Sequence, residues 1–115
     1  MRTLNDYFIP IGNIDLGAGT GTSTLVSCPD GGRIVGVSYN TTEAIDAAVT
    51  ADLLVNGAEV VGGNVDIDFP ITAVDTGGLA RPDAAVYIAD HDAVALTPNA
   101  GASTGICDCT LIIRR

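Results

Sequence analysis

Apolar positions along this chain fall in short alternating runs, and turn-forming residues interrupt them at close intervals. In "NVDIDF", Val65, Ile67 and Phe69 alternate with Asp66 and Asp68, which is the period of a strand with one wet face. In "ICDCTLII", Cys107, Cys109, Leu111 and Ile113 share one face in the same way. This patterning predicts strands over residues 8–14, 24–28, 33–39, 49–55, 59–61, 65–69, 85–89, 93–97 and 106–113. Turn signals punctuate them at Pro29-Asp30-Gly31-Gly32, Gly62-Gly63-Asn64, Asp75-Thr76-Gly77-Gly78, Arg81-Pro82-Asp83 and Pro98-Asn99-Ala100-Gly101. The strongest local signal is "VTADLLVNGAEVV", where Asn56-Gly57 supplies two residues tolerant of positive φ, as a type I′ hairpin requires.

A helical period is nearly absent. One short helical turn is expected over residues 41–48, with Asn40 as its cap and Glu43 three positions on. Nothing longer is available to cross over between parallel strands. The expectation is therefore an all-β fold, an antiparallel β-sandwich of jelly-roll-like form or a β-tulip barrel, with at most that one turn. Residues 1–115 make a single domain. Residues 1–14 form an N-terminal arm or an edge strand, since Pro10 inside "YFIPI" cannot donate a ladder hydrogen bond.

Composition adds a constraint on the core. Hydrophobic residues are 47% of the 115, yet there is no Trp, with three Tyr and two Phe. The core must be aliphatic, and burial between subunits is one way to strengthen it. A homo-oligomer is expected, with the run Tyr7, Phe8, Ile9 and Ile11 at or near the contact.

Charge removes whole classes of partner. Five Arg stand against fourteen acids, twelve of them Asp, for a net charge of −9, and there is no Lys. With arginines only at positions 2, 33, 81, 114 and 115, no basic strip can track phosphates. Neither nucleic acid nor an anionic membrane is an expected partner. No signal peptide is evident at the N-terminus, and no apolar run approaches the ~20 residues that span a bilayer. Three cysteines in such a chain, Cys28, Cys107 and Cys109, are read as reduced, buried thiols.

Candidate chemistry is sparse. "DLGAGTGTSTLVSC", residues 15–28, has the glycines of a phosphate loop, but a P-loop needs a lysine and a following helix. It reads instead as a loop ahead of a strand. "NAGASTGICDC" repeats its layout, which suggests adjacent turns at one end of a sandwich. The single histidine, His91, lies in "ADHDAV" between two aspartates, without a serine in a nucleophile elbow, and reads as a polar turn. Asp66 and Asp68 lack the calcium-loop pattern. Cys107-Asp108-Cys109 lacks structural zinc spacing. No enzyme, cofactor or metal is expected.

Two segments carry a family resemblance. "GGRIVGVSYNTTEAIDAAVTADLLVNG" runs strand, polar break, then strand onto the Asn-Gly hairpin, and "VALTPNAGASTGICDCTLIIRR" places a small-residue loop before a terminal strand ending on arginine. Over residues 24–115 this layout resembles the small capsid decoration (cement or head-fibre) proteins of tailed bacteriophages. The resemblance implies a β-sandwich or β-tulip module, commonly trimeric, on the exterior of a virion assembled in host cytoplasm. Its partners would be the major capsid protein and two further copies of itself, and it has no catalytic residues to carry over. Arg114 and Arg115, just past the last strand, would join Tyr7, Phe8, Ile9 and Ile11 in the contact. The alternative is a carbohydrate-binding β-sandwich of a phage tail or spike, and a small enzyme is a third class.

Overall fold

The structure, a computed structural model, describes residues 6–17, 26–59, 65–99 and 101–115. The chain forms ten strands there: β1 (Asp6–Asp15), β2 (Val26–Ser27), β3 (Gly32–Glu43), β4 (Val49–Val55), β5 (Ala58–Glu59), β6 (Asp66–Phe69), β7 (Gly77–Ala80), β8 (Tyr87–Ile88), β9 (Ala93–Pro98) and β10 (Ile106–Arg114). One sheet runs β1-β10-β3-β7 with β8 also on β3; the other runs β2-β9-β4-β5 with β6 also on β4. All of these pairings are antiparallel.

The pairing is nested: β1 meets β10, β2 meets β9, β3 meets β7 and β8, and β4 meets β5 and β6. The chain is thus one long hairpin rolled up, closed by β10 on β3 and β9 on β4. This is the jelly-roll form of the β-sandwich.

Alternation decides which side chains fill the space between the sheets. Ile14, Cys107, Cys109, Leu111, Ile113, Ile34, Val37 and Tyr39 come from the first sheet. Ala51, Leu53, Ile67, Phe69, Val94 and Leu96 come from the second. Tyr39 and Phe69 meet edge-to-face across the gap, ring centres 5.2 Å apart at 71°. All three cysteines are buried free thiols, and Cys107 and Cys109 occupy the core face as expected. Burial pushes the Cys28 thiol up.

Asn56 and Gly57 have φ of 55° and 83° and join Val55 to Ala58 in the two-residue hairpin that the sequence predicts. β1 is an edge strand, and a bulge between Pro10 and Gly12, with Gly12 at φ 94°, bends it. The Gly17–Ala102 bridge brings the start of the first small-residue loop beside the second. Residues 18–25 of that loop, the start of the strand expected over 24–28 and the end of the one over 59–61 lie outside the described residues.

Two expectations are corrected. The helical turn over residues 41–48 does not form: Thr41, Thr42 and Glu43 continue β3, and Ile45 bridges Thr72. Thr41 is β-branched and buried, and its hydroxyl is shared between the Ala73 and Thr76 carbonyls, each 2.6 Å away. Those bonds tie β3 to the loop before β7 and leave no reason to coil. Second, Gly77-Gly78, which reads as a turn, opens β7. Gly77 lies so close to the Tyr39 backbone that no Cβ would fit, so the glycine serves close approach rather than reversal.

Candidate functional site

On the outer face of the first sheet, register alone sets residues from distant parts of the chain in a row. Asp6, Arg114, Arg33 and Tyr87 stand side by side on β1, β10, β3 and β8. One row further on, Phe8 faces Ile112, and Ile112 faces Gly36. Register shifts there, between Ile112 and Ile113, and Val35 is the extra residue on β3. Leu79 near the end of β7 and the segment from Arg81 to Ala85 wall the other side. The result is a cleft of about 560 Å³ with an apolar floor of Phe8, Val35, Ile112 and Leu79. Phe8 is 62% exposed and Tyr87 75%.

The charges of the cleft are unequal in their commitments. Arg114 is gripped by both Asp6 oxygens, at 2.8 and 3.1 Å, which raises its already high pKa. Arg115, outside the cleft, pairs with Asp30 at 2.7 Å and lies over the Tyr7 ring. Arg33 and Arg81 also line the cleft, are exposed, and have no ion pair among the described residues. The remaining acid of the lining, Asp83, accepts the Asp66 backbone N–H at 3.1 Å.

The expected contact residues are divided by this geometry. Phe8 and Arg114 line the cleft together. Ile11, only 7% exposed at the bulge, is part of the core. Tyr7 and Ile9 pack half-buried against that same core, and the Tyr7 hydroxyl donates to the Asp30 carbonyl. Arg33 and Arg81 are the cleft side chains that the sequence reading passed over. Their signal was scarcity: they are two of only five cations in an acidic chain.

Elsewhere, the polar features take local roles. His91, at φ 68°, sits in a tight turn closed by the Asp92 N–H on the Ala89 carbonyl. The Asp92 carboxylate accepts the Ala89 N–H, which lowers its pKa. Asp46 is held down likewise by the Thr104 and Ser103 N–H groups. No cluster of three or more metal-type ligands occurs among the described residues, and no helix there is long and apolar enough to cross a membrane.

Asp66 stands apart. It faces Asp52 across β4 and β6, and its Oδ1 is buried with no donor when both carboxyls are ionised. Sharing a proton with Asp52, then burial and the charges of Asp52, Asp83 and Asp68, pushes its pKa up to about 6. A raised folded-state pKa stabilises the fold fully below the unfolded value, and that contribution is lost as pH rises through 6. After solvent screening the effect is about 1 kcal/mol. Asp66→Asn should therefore gain stability relative to the parent between pH 4.5 and 7.5, read as a widening Tm difference. An unchanged difference would show that the pair shares no proton.

No protein-family model matches the chain, and no curated protein matches it. Among solved structures, a Podospora anserina GH26-CBM35 β-(1,4)-mannanase is similar, with a TM-score of 0.51 at 16% identity. The match covers 97% of this chain and 28% of that one. The likeness extends to the β-sandwich fold.

Proposed function

We propose that this jelly roll is a non-enzymatic docking module that attaches to the outer surface of a phage capsid as a decoration protein, with the outer face of the first sheet as its contact. The observation that supports this reading is the gathering of three of the five arginines, with exposed Phe8 and Leu79, on one face of a molecule of net charge −9. Such a face orients and speeds docking electrostatically, while apolar burial supplies the hold. Repeated sites on an assembled shell, engaged by an oligomer, would multiply a modest single-site affinity. Purified protein should bind capsids stripped of it, saturate at a fixed copy number and raise their resistance to heat. Absence of saturable binding by sedimentation with the particles would dismiss this function.

One observation favours a second reading, carbohydrate binding: the exposed Tyr87 ring beside Arg33 is a surface on which a sugar could stack. The similar structure is that of a GH26-CBM35 mannanase, and at 16% identity the two share the fold alone. Saturable binding on a glycan array, with none to capsids, would favour this reading.

A further inference from the structure

Three arginines line the cleft against two aspartates, and no other polar side chain does. Of its lining acids, Asp6 grips Arg114 and Asp83 holds a backbone N–H. Arg33 and Arg81 remain unmatched by any acid among the described residues, in a chain with fourteen. No Ser, Thr, Asn, Gln or His contributes to the lining. Neutral sugar hydroxyls could bond the guanidinium groups but would not meet their charge. A polyphosphate would be repelled by the acidic body. What suits the cleft is one carboxylate on an apolar stem, because a guanidinium fork binds carboxylates through paired, charge-assisted hydrogen bonds.

We infer that the cleft receives an acidic residue flanked by apolar ones from a partner protein, the carboxylate on Arg33 and Arg81 and the flanking side chains on Phe8, Val35, Ile112 and Leu79. This deepens the docking reading above, which it rests on, by naming the chemistry of the partner's contact. Arg33 stands on β3, the central strand of its sheet path beside β10, so one of the two charges has a rigid support. Arg81 follows β7 directly, so the cleft depends on how β7 is seated.

The test uses capped Leu-Glu-Leu and Leu-Gln-Leu peptides as probes, followed by amide chemical shifts of the intact protein. The Glu peptide should shift residues 33, 79, 81 and 112 and bind on the order of 10-fold tighter than the Gln peptide. Arg33→Gln/Arg81→Gln should abolish that preference, while Arg115→Gln, outside the cleft, should keep it. Arg33 and Arg81 are both exposed, and an unchanged Tm will confirm that the double variant folds. Equal binding of the two peptides, a preference that survives the double variant, or tighter binding of digalacturonate would each overturn the inference. Stripped capsids separate the two readings. If they bind the parent and the double variant equally, the cleft inference falls and docking stands. If they bind neither while the Glu peptide binds the parent, the capsid reading falls and the cleft stands.

Discussion

Phe69→Ala should lower stability by about 3–5 kcal/mol, the cost of emptying the space of a large buried aromatic residue. Phe69 is 1% exposed at the end of β6, and its ring meets Tyr39 of the opposite sheet edge-to-face. With two Phe and three Tyr in the whole chain, of which Phe8 and Tyr87 face outward, this contact is the principal aromatic tie between the two sheets. Its neighbours Ile67 and Val49 lie in short strands that cannot collapse far inward without breaking the β4–β6 register. At about 4–8 °C per kcal/mol for a domain near this size, Tm should fall by roughly 12–40 °C. Phe69→Leu, which keeps most of the volume, should lose much less. Thermal and denaturant unfolding of the two variants checks this, and equal small losses would place the sheet-to-sheet hold elsewhere.

Gly77→Ala is the second large effect, and it reaches the cleft. A Cβ at Gly77 would run into the Tyr39 carbonyl oxygen and lie 2.5 Å from Asn40 Oδ1, both on β3. The obstacle is backbone of a central strand, so β7 must give way. Overpacking of this kind costs about 1–3 kcal/mol, and more where the strand cannot shift. Leu79 and Arg81 would move with β7, so binding of the Glu peptide should weaken along with stability. Gly57→Ala, at a positive φ in the β4–β5 hairpin, provides the contrast: it should destabilise through the turn alone and leave peptide binding intact. Measuring Tm and peptide affinity on both variants checks the coupling, and full affinity in Gly77→Ala would refute it.

Much of the fold was legible in the chain because strand patterning is local. Alternation in residues 65–69 and 106–113 assigns the acids of Asp66 and Asp68 to the outer face and Cys107, Cys109, Leu111 and Ile113 to the core; the structure places them so, with Asp68 exposed and Asp66 partly covered. Asn56-Gly57 specifies its hairpin because both residues tolerate positive φ. Pro10 specifies an edge because it lacks an N–H. Each of these is a property of a few neighbouring residues.

Other features depend on what a segment meets after folding. Thr41 is drawn into β3 by carbonyls from residues 73 and 76, more than thirty positions away, against a capping pattern that favours a turn. Gly77 reads as a turn until the Tyr39 backbone is seen against it. The contact run illustrates the same limit: the bulge at Pro10–Gly12 shifts the alternation of β1, so that Ile11 and Ile14, three positions apart, are both buried, whereas Phe8 is exposed. The cleft is the extreme case. Asp6, Arg33, Arg81 and Arg114 are scattered over the chain, and only the rolling of one long hairpin sets β1, β10, β3 and β8 side by side. Sequence by itself determined the strands, their wet and dry faces and the charge available; which arginines find an acid and which do not was decided by strand order, because antiparallel register fixes cross-strand neighbours that no local pattern encodes.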